Sequence, residues 1–270
     1  MVAKLVVIGG GKMGEALVAG LLQAGWAQPG EMVVVEASQD RRHELAQAGG
    51  LAERHPGLTV TAEPPVPAPA VLVAVKPYDV QAACVDLRER GAERVLSIAA
   101  GVTTSELEQW CPEACAVVRA MPNMGALVGS SATCLTGGRR ASRQDLDWAG
   151  AIMGAVGLVV EVAEHLVDAV TGLSGSGPAY LMMVAEAMTE GGVLLGLPRS
   201  VAQELAAYTL LGSGRLLVGS GQTPEQVRAA VTSPGGTTAE GLRQLEAHGA
   251  RAAFIEAVAA SARRSRELRT

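Results

Sequence analysis

The sequence predicts a two-domain protein, with a doubly wound α/β domain at the N-terminal end and an all-helical domain after it. From residue 4 to about residue 160, short β-branched runs alternate with helical stretches. After Glu161 the helical periodicity is almost continuous. The chain has 270 residues, 49% of them hydrophobic, yet only one Phe, three Trp and three Tyr, which favours closely packed helices and a core of aliphatic side chains. We place the domains at 1–162 and 163–270.

The strands of the first domain are predicted from its apolar runs. These runs are KLVVIG, MVVVE, VLVAV, VLSIAA and ACAVVR, and LVVEV at 158–162 is the last strand-like segment. Helical stretches over 12–24 and near 41–48 separate the first three runs, which is the pattern of parallel strands joined by crossover helices. VLVAV and VLSIAA are apolar on both faces, so we expect central strands. The proline-rich segment AEPPVPAP at 62–69 predicts a non-helical surface connection.

The helical half contains one strongly apolar helix. Its sequence AYLMMVAEAM is interrupted by Glu186 and followed by Glu190 and Gly191, which is unlike a bilayer-spanning segment. A small helical domain has too little core of its own to cover such a helix. We therefore expect a dimerisation domain, a homodimer or a larger oligomer built from dimers, and no membrane partner.

Charge and the N-terminal sequence exclude other classes. The formal net charge is -5 and no stripe of Lys or Arg is present, so nucleic acid is not an expected partner. The N-terminal apolar run is short and leads directly into glycines, without the features of a secretory signal. We expect a cytoplasmic protein.

Cysteine and histidine spacing argues against a metal site. No CxxC pair is present, and the four histidines at 43, 55, 165 and 248 are not near cysteines in the sequence. We interpret Cys84, Cys111, Cys115 and Cys134 as small packing residues and expect no bound metal.

A glycine loop follows the first strand. In LVVIGGGKMG, Gly9, Gly11 and Gly14 have GxGxxG spacing between a strand and an amphipathic helix. Such glycines bring the backbone against a pyrophosphate, whose charge is stabilised by N–H groups at the helix N-terminus. The first domain is therefore predicted to be a Rossmann-type domain that binds a dinucleotide. The candidate contacts are Gly9, Gly10, Gly11, Lys12, Met13 and Gly14.

The end of the second strand leaves the cofactor open between NADH and NADPH. Glu36 lies 22 residues after Gly14, where a carboxylate accepts hydrogen bonds from an adenosine ribose and repels a 2′-phosphate. Ser38, Arg41 and Arg42 follow, and a guanidinium there would favour a 2′-phosphate. The alternative for the two arginines is a solvated helix face.

Other strand ends are also candidate cofactor contacts, because ligands of doubly wound sheets bind at the carboxyl ends of strands. Small or polar residues occupy those positions at 75–77, 99–101 and 121–123. The candidates are Val75, Lys76, Pro77, Ala99, Ala100, Gly101 and Asn123.

The loop VTSPGGTTAEG at 231–241 breaks the helical pattern of the second domain. It is either a helix break with a threonine N-cap or a binding loop with exposed backbone. The chain has only three lysines, none after residue 76, so the helical half offers hydroxyls to a substrate but no lysine acid. A protonated C=N group already carries the positive charge that makes its carbon accept hydride, so this chemistry suits an imine better than a ketone.

In combination, GGGKMG, VKP, SIAAGV, RAMPN, SGSGPAY, EAMTEGGVLLGLPR and SPGGTT resemble the pyrroline-5-carboxylate reductase family over residues 4 to about 267. The resemblance implies reduction of 1-pyrroline-5-carboxylate to L-proline by NAD(P)H, the last step of proline biosynthesis. It implies that the substrate carboxylate binds at Ser233, Gly235, Gly236 and Thr237, and that Thr238 contacts the ring nitrogen as the catalytic residue. It places the active site close to a dimer interface of exchanged helices, and the adenosine-ribose contact near Thr61.

Two alternatives remain at this stage. One is an NAD(P)H-dependent reductase of another small cyclic imine, since ring size is set by pocket shape. The other is a non-catalytic NAD(P)-sensing protein, which would keep the glycine loop but would not need SPGGTT.

Overall fold

The computed structural model describes residues 3–268. The chain forms two compact units: one holds the residues up to Gly175 together with those from Ser261 onward, and the other is Ser176–Ala260. The sheet ends at Glu161, next to the predicted domain boundary at 162/163, but the first unit continues through a further 14 residues of helix and turn.

The first unit contains all eight strands of the described residues. They are β1 (Leu5–Ile8), β2 (Met32–Val35), β3 (Thr59–Thr61), β4 (Ala70–Val73), β5 (Arg94–Ser97), β6 (Ala116–Met121), β7 (Ser131–Gly137) and β8 (Gly157–Glu161). The sheet order is β3-β2-β1-β4-β5-β6-β7-β8. Every pair is parallel except β6 with β7, which is antiparallel. The predicted parallel sheet with VLVAV and VLSIAA as central strands is confirmed, and the antiparallel pair is a correction to it.

Helices cover both faces of this sheet and make up most of the second unit. They are α1 (Lys12–Gln23), α2 (Gln39–Ala46), α3 (Leu51–Arg54), α4 (Val80–Asp86), α5 (Thr104–Trp110), α6 (Arg143–Gly154), α7 (Val167–Val170), α8 (Gly177–Leu194), α9 (Arg199–Ser220), α10 (Pro224–Ala230), α11 (Thr237–Ala247) and α12 (Ala250–Glu267). A π-helical turn, Thr171–Gly175, lies between α7 and α8. The proline-rich segment at 62–69 is non-helical, as predicted.

Alternating strand residues build a hydrophobic core on each face of the sheet. Leu5 and Val7 of β1 pack with Leu17 of α1 on one face, whereas Val6 and Ile8 pack on the other with residues from α4 and α5. Burial on both faces explains the near-continuous apolar runs of these strands. This packing also holds the carboxyl ends of the parallel strands in place, and the loops that follow those strands begin there.

The second unit has almost no core of its own. Of residues 176–260, all of which the structure describes, only Thr189, Ala202 and Ala206 are buried. Large apolar side chains of α8 and α9 are exposed instead, among them Met183 at 63% and Tyr208 at 73%. A face of this kind marks an interaction surface.

The last turns of α12 belong to the first unit. The buried Ser265 hydroxyl donates a 2.8 Å hydrogen bond to the carboxylate of Asp168, which is also buried. At the end of this helix, the Leu268 carbonyl oxygen lies 3.5 Å from the position that a Cβ on Gly101 would occupy. The chain therefore returns to the sheet edge next to one of the candidate cofactor segments.

Candidate active site

A groove of about 1000 Å³ lies in the first unit, at the carboxyl ends of the central strands. The strand order reverses between β1 and β4, which is where doubly wound sheets bind dinucleotides. The predicted residues that line the groove are Gly9, Gly11, Lys12, Met13, Glu36, Val75, Lys76, Pro77, Ala99 and Ala100. The groove lining does not include Gly10, Gly14, Ser38, Gly101 or Asn123.

The glycine loop has a shape that only glycine permits. Gly9 has a φ of 106°, and a Cβ on it would lie 2.6 Å from the Ala74 carbonyl oxygen. A Cβ on Gly14 would lie 1.9 Å from the Gly9 carbonyl oxygen, whereas a Cβ on Gly11 would meet nothing within 4 Å. Gly11 therefore leaves open space at the N-terminus of the 12-residue helix α1. This cradle fits the pyrophosphate of a dinucleotide.

The loop between β2 and α2 is hydrogen-bonded to the glycine loop. The Glu36 carboxylate accepts hydrogen bonds of 2.9 Å from the N–H groups of Gly10 and Ser38. Ser38 is the N-cap of α2, where its hydroxyl accepts the Arg41 N–H at 3.3 Å. One nitrogen of the Arg42 side chain donates to the backbone carbonyls of Glu36 and Ala37 at 2.7 Å. Through these contacts, Ser38 and Arg42 stabilise the conformation of this loop.

The groove also includes residues that the sequence did not indicate. In addition to Glu36, the groove is lined by Ala37, Ala62, Pro64, Asp79, Ala82, Ala83 and Asp86. Most are small apolar residues without a chemical signature, so spacing alone could not have found them. Near the predicted ribose contact, the Thr61 carbonyl accepts the Glu36 N–H at 2.9 Å, and it is Ala62 that lines the groove.

An ion pair connects β6 with the segment that follows β8 and with the start of α5. Arg119 on β6 is 1% exposed and lies 3.2 Å from Glu164, whose carboxylate also accepts from the backbone N–H and the hydroxyl of Thr104. Burial acts to raise the pKa of Glu164, but the hydrogen bonds from Thr104 and the charge of Arg119 outweigh it and hold the pKa below its ordinary value. This cluster fixes the segment that follows Gly101 against β6.

Asn123 acts on the protein's own backbone. Its side-chain oxygen accepts from the Gly125 N–H at 2.9 Å, and its side-chain nitrogen donates to the Ser174 carbonyl at 2.9 Å. Ser174 belongs to the π-helical turn, and such turns occur often at functional sites. Asn123 thus ties the end of β6 to the segment that leads into α8.

In the second unit, the SPGG loop is a tight turn that opens α11. The Gly236 N–H donates to the Ser233 carbonyl at 3.1 Å, and Gly235 has a φ of 67°, the conformation that favours glycine. A Cβ on Gly236 would lie 2.3 Å from the Ser233 hydroxyl oxygen. Ser233, Thr237 and Thr238 are exposed. The turn therefore presents hydroxyls and the free N–H groups of the first helical turn to solvent.

The threonine N-cap considered for this helix is wrong. The N-cap of α11 is Gly236, which makes no side-chain cap, and Thr237 is the first helical residue. A Cβ at 236 would displace the Ser233 hydroxyl from its present position.

The described residues show the cysteines in the packing role that we predicted. All four are free and buried, and contact with the Cys111 thiol together with burial raises the pKa of Cys115. Among residues 3–268, no group of three or more His, Cys, Asp or Glu side chains is arranged to hold a metal ion. Within the same part of the chain, no helix has the length and hydropathy to cross a membrane.

The doubly wound sheet, with its groove at the switch point and its glycine cradle, defines an oxidoreductase of the dinucleotide-binding Rossmann class. Two family models match the chain: NADP oxidoreductase coenzyme F420-dependent over residues 4–101, and pyrroline-5-carboxylate reductase dimerisation over 164–268. The chain belongs to the pyrroline-5-carboxylate reductase family, as its relatives show.

The relatives match over nearly their full length. The chain is 42% identical to the pyrroline-5-carboxylate reductase of Mycobacterium tuberculosis, covering 99% of this chain and 97% of the relative. It is 42% identical to the Thermus thermophilus enzyme, with 98% of each covered. The structure of a pyrroline-5-carboxylate reductase from Coxiella burnetii is similar, with a TM-score of 0.90, 35% identity and all of both chains covered. The Plasmodium falciparum enzyme with NADP bound has a TM-score of 0.83 at 25% identity, covering 99% and 98% of the two chains.

Proposed function

We propose that this protein reduces 1-pyrroline-5-carboxylate to L-proline with NAD(P)H, the last step of proline biosynthesis. The observation that carries the proposal is the presence in one chain of the dinucleotide groove and the SPGG turn, in a protein 42% identical to named reductases over nearly its whole length. A non-catalytic NAD(P)-sensing protein would have no need of the second feature.

The cofactor is held by the groove. When bound, NAD(P)H supplies the hydride. Gly11 and the N-terminus of α1 receive the pyrophosphate, Glu36 receives the adenosine ribose, and residues 75–77 with Ala99 and Ala100 line the remaining length. Gly101 and Asn123 do not line the groove, and Asn123 acts through its hydrogen bond with the Gly125 N–H.

The substrate is held by the SPGG turn. Its carboxylate is stabilised by N–H groups at Gly235 and Thr237 and by the positive end of the α11 dipole, while Gly236 shapes the turn by donating its own N–H to the Ser233 carbonyl. The Ser233 hydroxyl, which lies against Gly236, donates a further hydrogen bond. The Thr238 hydroxyl accepts a hydrogen bond from the ring nitrogen and orients the C=N group for reduction. The imine nitrogen carries its own proton, which remains on the product amine.

Assembly as a homodimer follows from the second unit. With three buried residues in 176–260, its exposed apolar helices need a partner surface, and the matching family model describes dimerisation. We propose a homodimer, alone or as the building block of a larger oligomer. Light scattering at micromolar concentration would show twice the mass of one chain or a multiple of it, and a monomer would contradict the proposal.

We also propose a cytoplasmic location. The four cysteines are free and buried, which suits a reducing compartment. Fractionation of the source cells would place the protein with the soluble cytoplasmic enzymes, and recovery outside the cytoplasm would overturn this.

One assay tests the activity. Oxidation of NADH and of NADPH is followed with 1-pyrroline-5-carboxylate, with its six-membered-ring homologue and with no imine, and L-proline is measured as the product. We expect turnover with the five-membered ring and stoichiometric proline. Faster turnover of the homologue would favour the alternative cyclic imine. Cofactor binding without turnover of either imine would favour the NAD(P)-sensing protein.

A further inference from the structure

Gly10 is hydrogen-bonded by two charged side chains, one at its N–H and one at its carbonyl. Its N–H donates to the Glu36 carboxylate at 2.9 Å, and its carbonyl accepts from Nε of Arg41, also at 2.9 Å. Both side chains belong to the β2–α2 segment. Two side chains of opposite charge from this segment therefore bind the N–H and the carbonyl of one residue of the glycine loop. Gly10 also packs closely against α2, because a Cβ on it would lie 2.6 Å from Cδ1 of Leu45.

The remaining nitrogens of Arg41 are also occupied. Nη1 lies 2.8 Å from the Glu44 carboxylate and Nη2 lies 2.5 Å from the Glu15 carboxylate, which is on α1. The hydrogen bonds that Arg41 donates to Glu44 and to Glu15 raise the pKa of Arg41 against the opposing effect of its partial burial. The Arg41 side chain is 26% exposed. A guanidinium in this position connects the glycine loop, α1 and α2 through three separate hydrogen bonds.

The same geometry makes Arg41 a poor ligand for a 2′-phosphate. To reach such a group it would have to give up a carboxylate partner or the Gly10 carbonyl, and Glu36 would remain beside the phosphate. Asp79 and Asp86 line the same groove and add negative charge. The position of Arg41 after β2 would suggest a phosphate ligand, but its contacts argue against that role.

We propose that Arg41 is a positioning residue, which sets the conformation of the glycine loop for the pyrophosphate and contributes equally to the binding of NADH and NADPH. Together with Glu36 it fixes the peptide groups of Gly10 before the cofactor arrives, and this lowers the ordering cost of binding. Since both cofactors share the pyrophosphate, both depend on this arrangement to the same degree.

The test compares Arg41→Ala with a matched control. Arg54→Ala removes the other guanidinium on Glu15, at 2.7 Å, without touching Gly10. Binding of NADH and NADPH to each purified variant is measured by fluorescence titration, at a temperature well below each melting temperature. We expect Arg41→Ala to weaken both cofactors by about tenfold, with their affinity ratio unchanged within about twofold. Arg54→Ala should bind both like the wild type.

Two further readouts separate geometry from charge. Arg41→Lys keeps the charge but has one donor atom for three acceptors, so we expect it to recover little of the lost affinity. In the cofactor-free protein, hydrogen exchange of the peptide covering residues 9–14 should be faster in Arg41→Ala than in Arg54→Ala. Three results would overturn the proposal: a selective loss of NADPH affinity in Arg41→Ala, full recovery with lysine, or unchanged binding and exchange.

Discussion

Gly14 and Gly11 should fail for opposite reasons when each is replaced by alanine. At Gly14 the added Cβ would lie 1.9 Å from the Gly9 carbonyl oxygen, more than 1 Å inside the 3.0 Å that real Cβ contacts respect. The obstacle is backbone, so α1 must move away from β1. Overpacking of this kind costs about 1–3 kcal/mol, offset by roughly 0.5–1 kcal/mol from the helix preference of alanine over glycine.

At Gly11 the Cβ meets nothing within 4 Å, so the free protein should tolerate it. The methyl group would instead occupy the path of the pyrophosphate. We expect Gly11→Ala to melt within about 2 °C of the wild type, allowing for a small N-cap effect, and to bind NADH at least tenfold more weakly. Because the clash at Gly14 is with backbone, we take the upper part of its range, a net cost of about 1–2.5 kcal/mol, and Gly14→Ala should then lose about 2–10 °C in a unit of this size.

The assay for this pair is thermal unfolding followed by circular dichroism, with NADH titration by fluorescence on the same preparations. The reasoning is refuted if Gly14→Ala melts with the wild type, or if Gly11→Ala is the less stable of the two. Either result would mean that the approach of α1 to β1 does not set the requirement for glycine.

Three further predictions concern other parts of the site. Glu36→Ala should raise the ratio of catalytic efficiencies for NADPH over NADH, because it removes a negative charge that repels the 2′-phosphate. It should also weaken NADH binding, because the Gly10 N–H loses its acceptor. A ratio changed by less than about twofold, roughly 0.4 kcal/mol, would exclude Glu36 as the ribose ligand. Thr238→Ala should lower kcat/KM by about ten- to a hundredfold with cofactor affinity intact, and Thr237→Ala should cost less; the reverse order would identify Thr237 as the hydroxyl that matters. The pKa of Glu164 is below its ordinary value, so the ionised carboxylate stabilises the folded state fully above the unfolded pKa, and this stabilisation is lost as the pH falls through the folded pKa. The melting temperature of Glu164→Gln should therefore depend less steeply on pH below about pH 4.5 than that of the wild type. Parallel curves for the two proteins would contradict this.

The sheet was predictable where strands are buried on both faces. The runs at β1, β2, β4, β5 and β6 are apolar almost throughout, and each was found. β3 has three residues, two of them threonines, in a polar stretch, and β7 reads SATCLTG with hydroxyls among its apolar residues. These two segments are strands because they pair with neighbouring strands, and the local sequence pattern does not show that pairing.

The site was predictable where the backbone must have an unusual shape. Gly9 and Gly14 indicate a cradle, and SPGG indicates a turn, because the conformations or close approaches at these positions favour glycine, whereas Gly11 leaves the space that a ligand would fill. The roles of Arg41 and Asn123 depend on which backbone groups lie opposite them, at separations of 31 and 51 residues in the chain. Those separations are properties of the fold, so the sequence indicated the residue types but not their partners.

The thin core of residues 176–260 makes the stability of this region a matter of mass action. A segment that buries three side chains by itself gains its hydrophobic free energy from association, and that contribution grows with the logarithm of protein concentration. Dilution should therefore release these helices while the sheet, whose strands are covered on both faces, stays folded. In a cell, newly made chains below that concentration would expose the leucines and methionines of α8 and α9 to chaperones and proteases, so the rate of synthesis itself would govern how much enzyme survives.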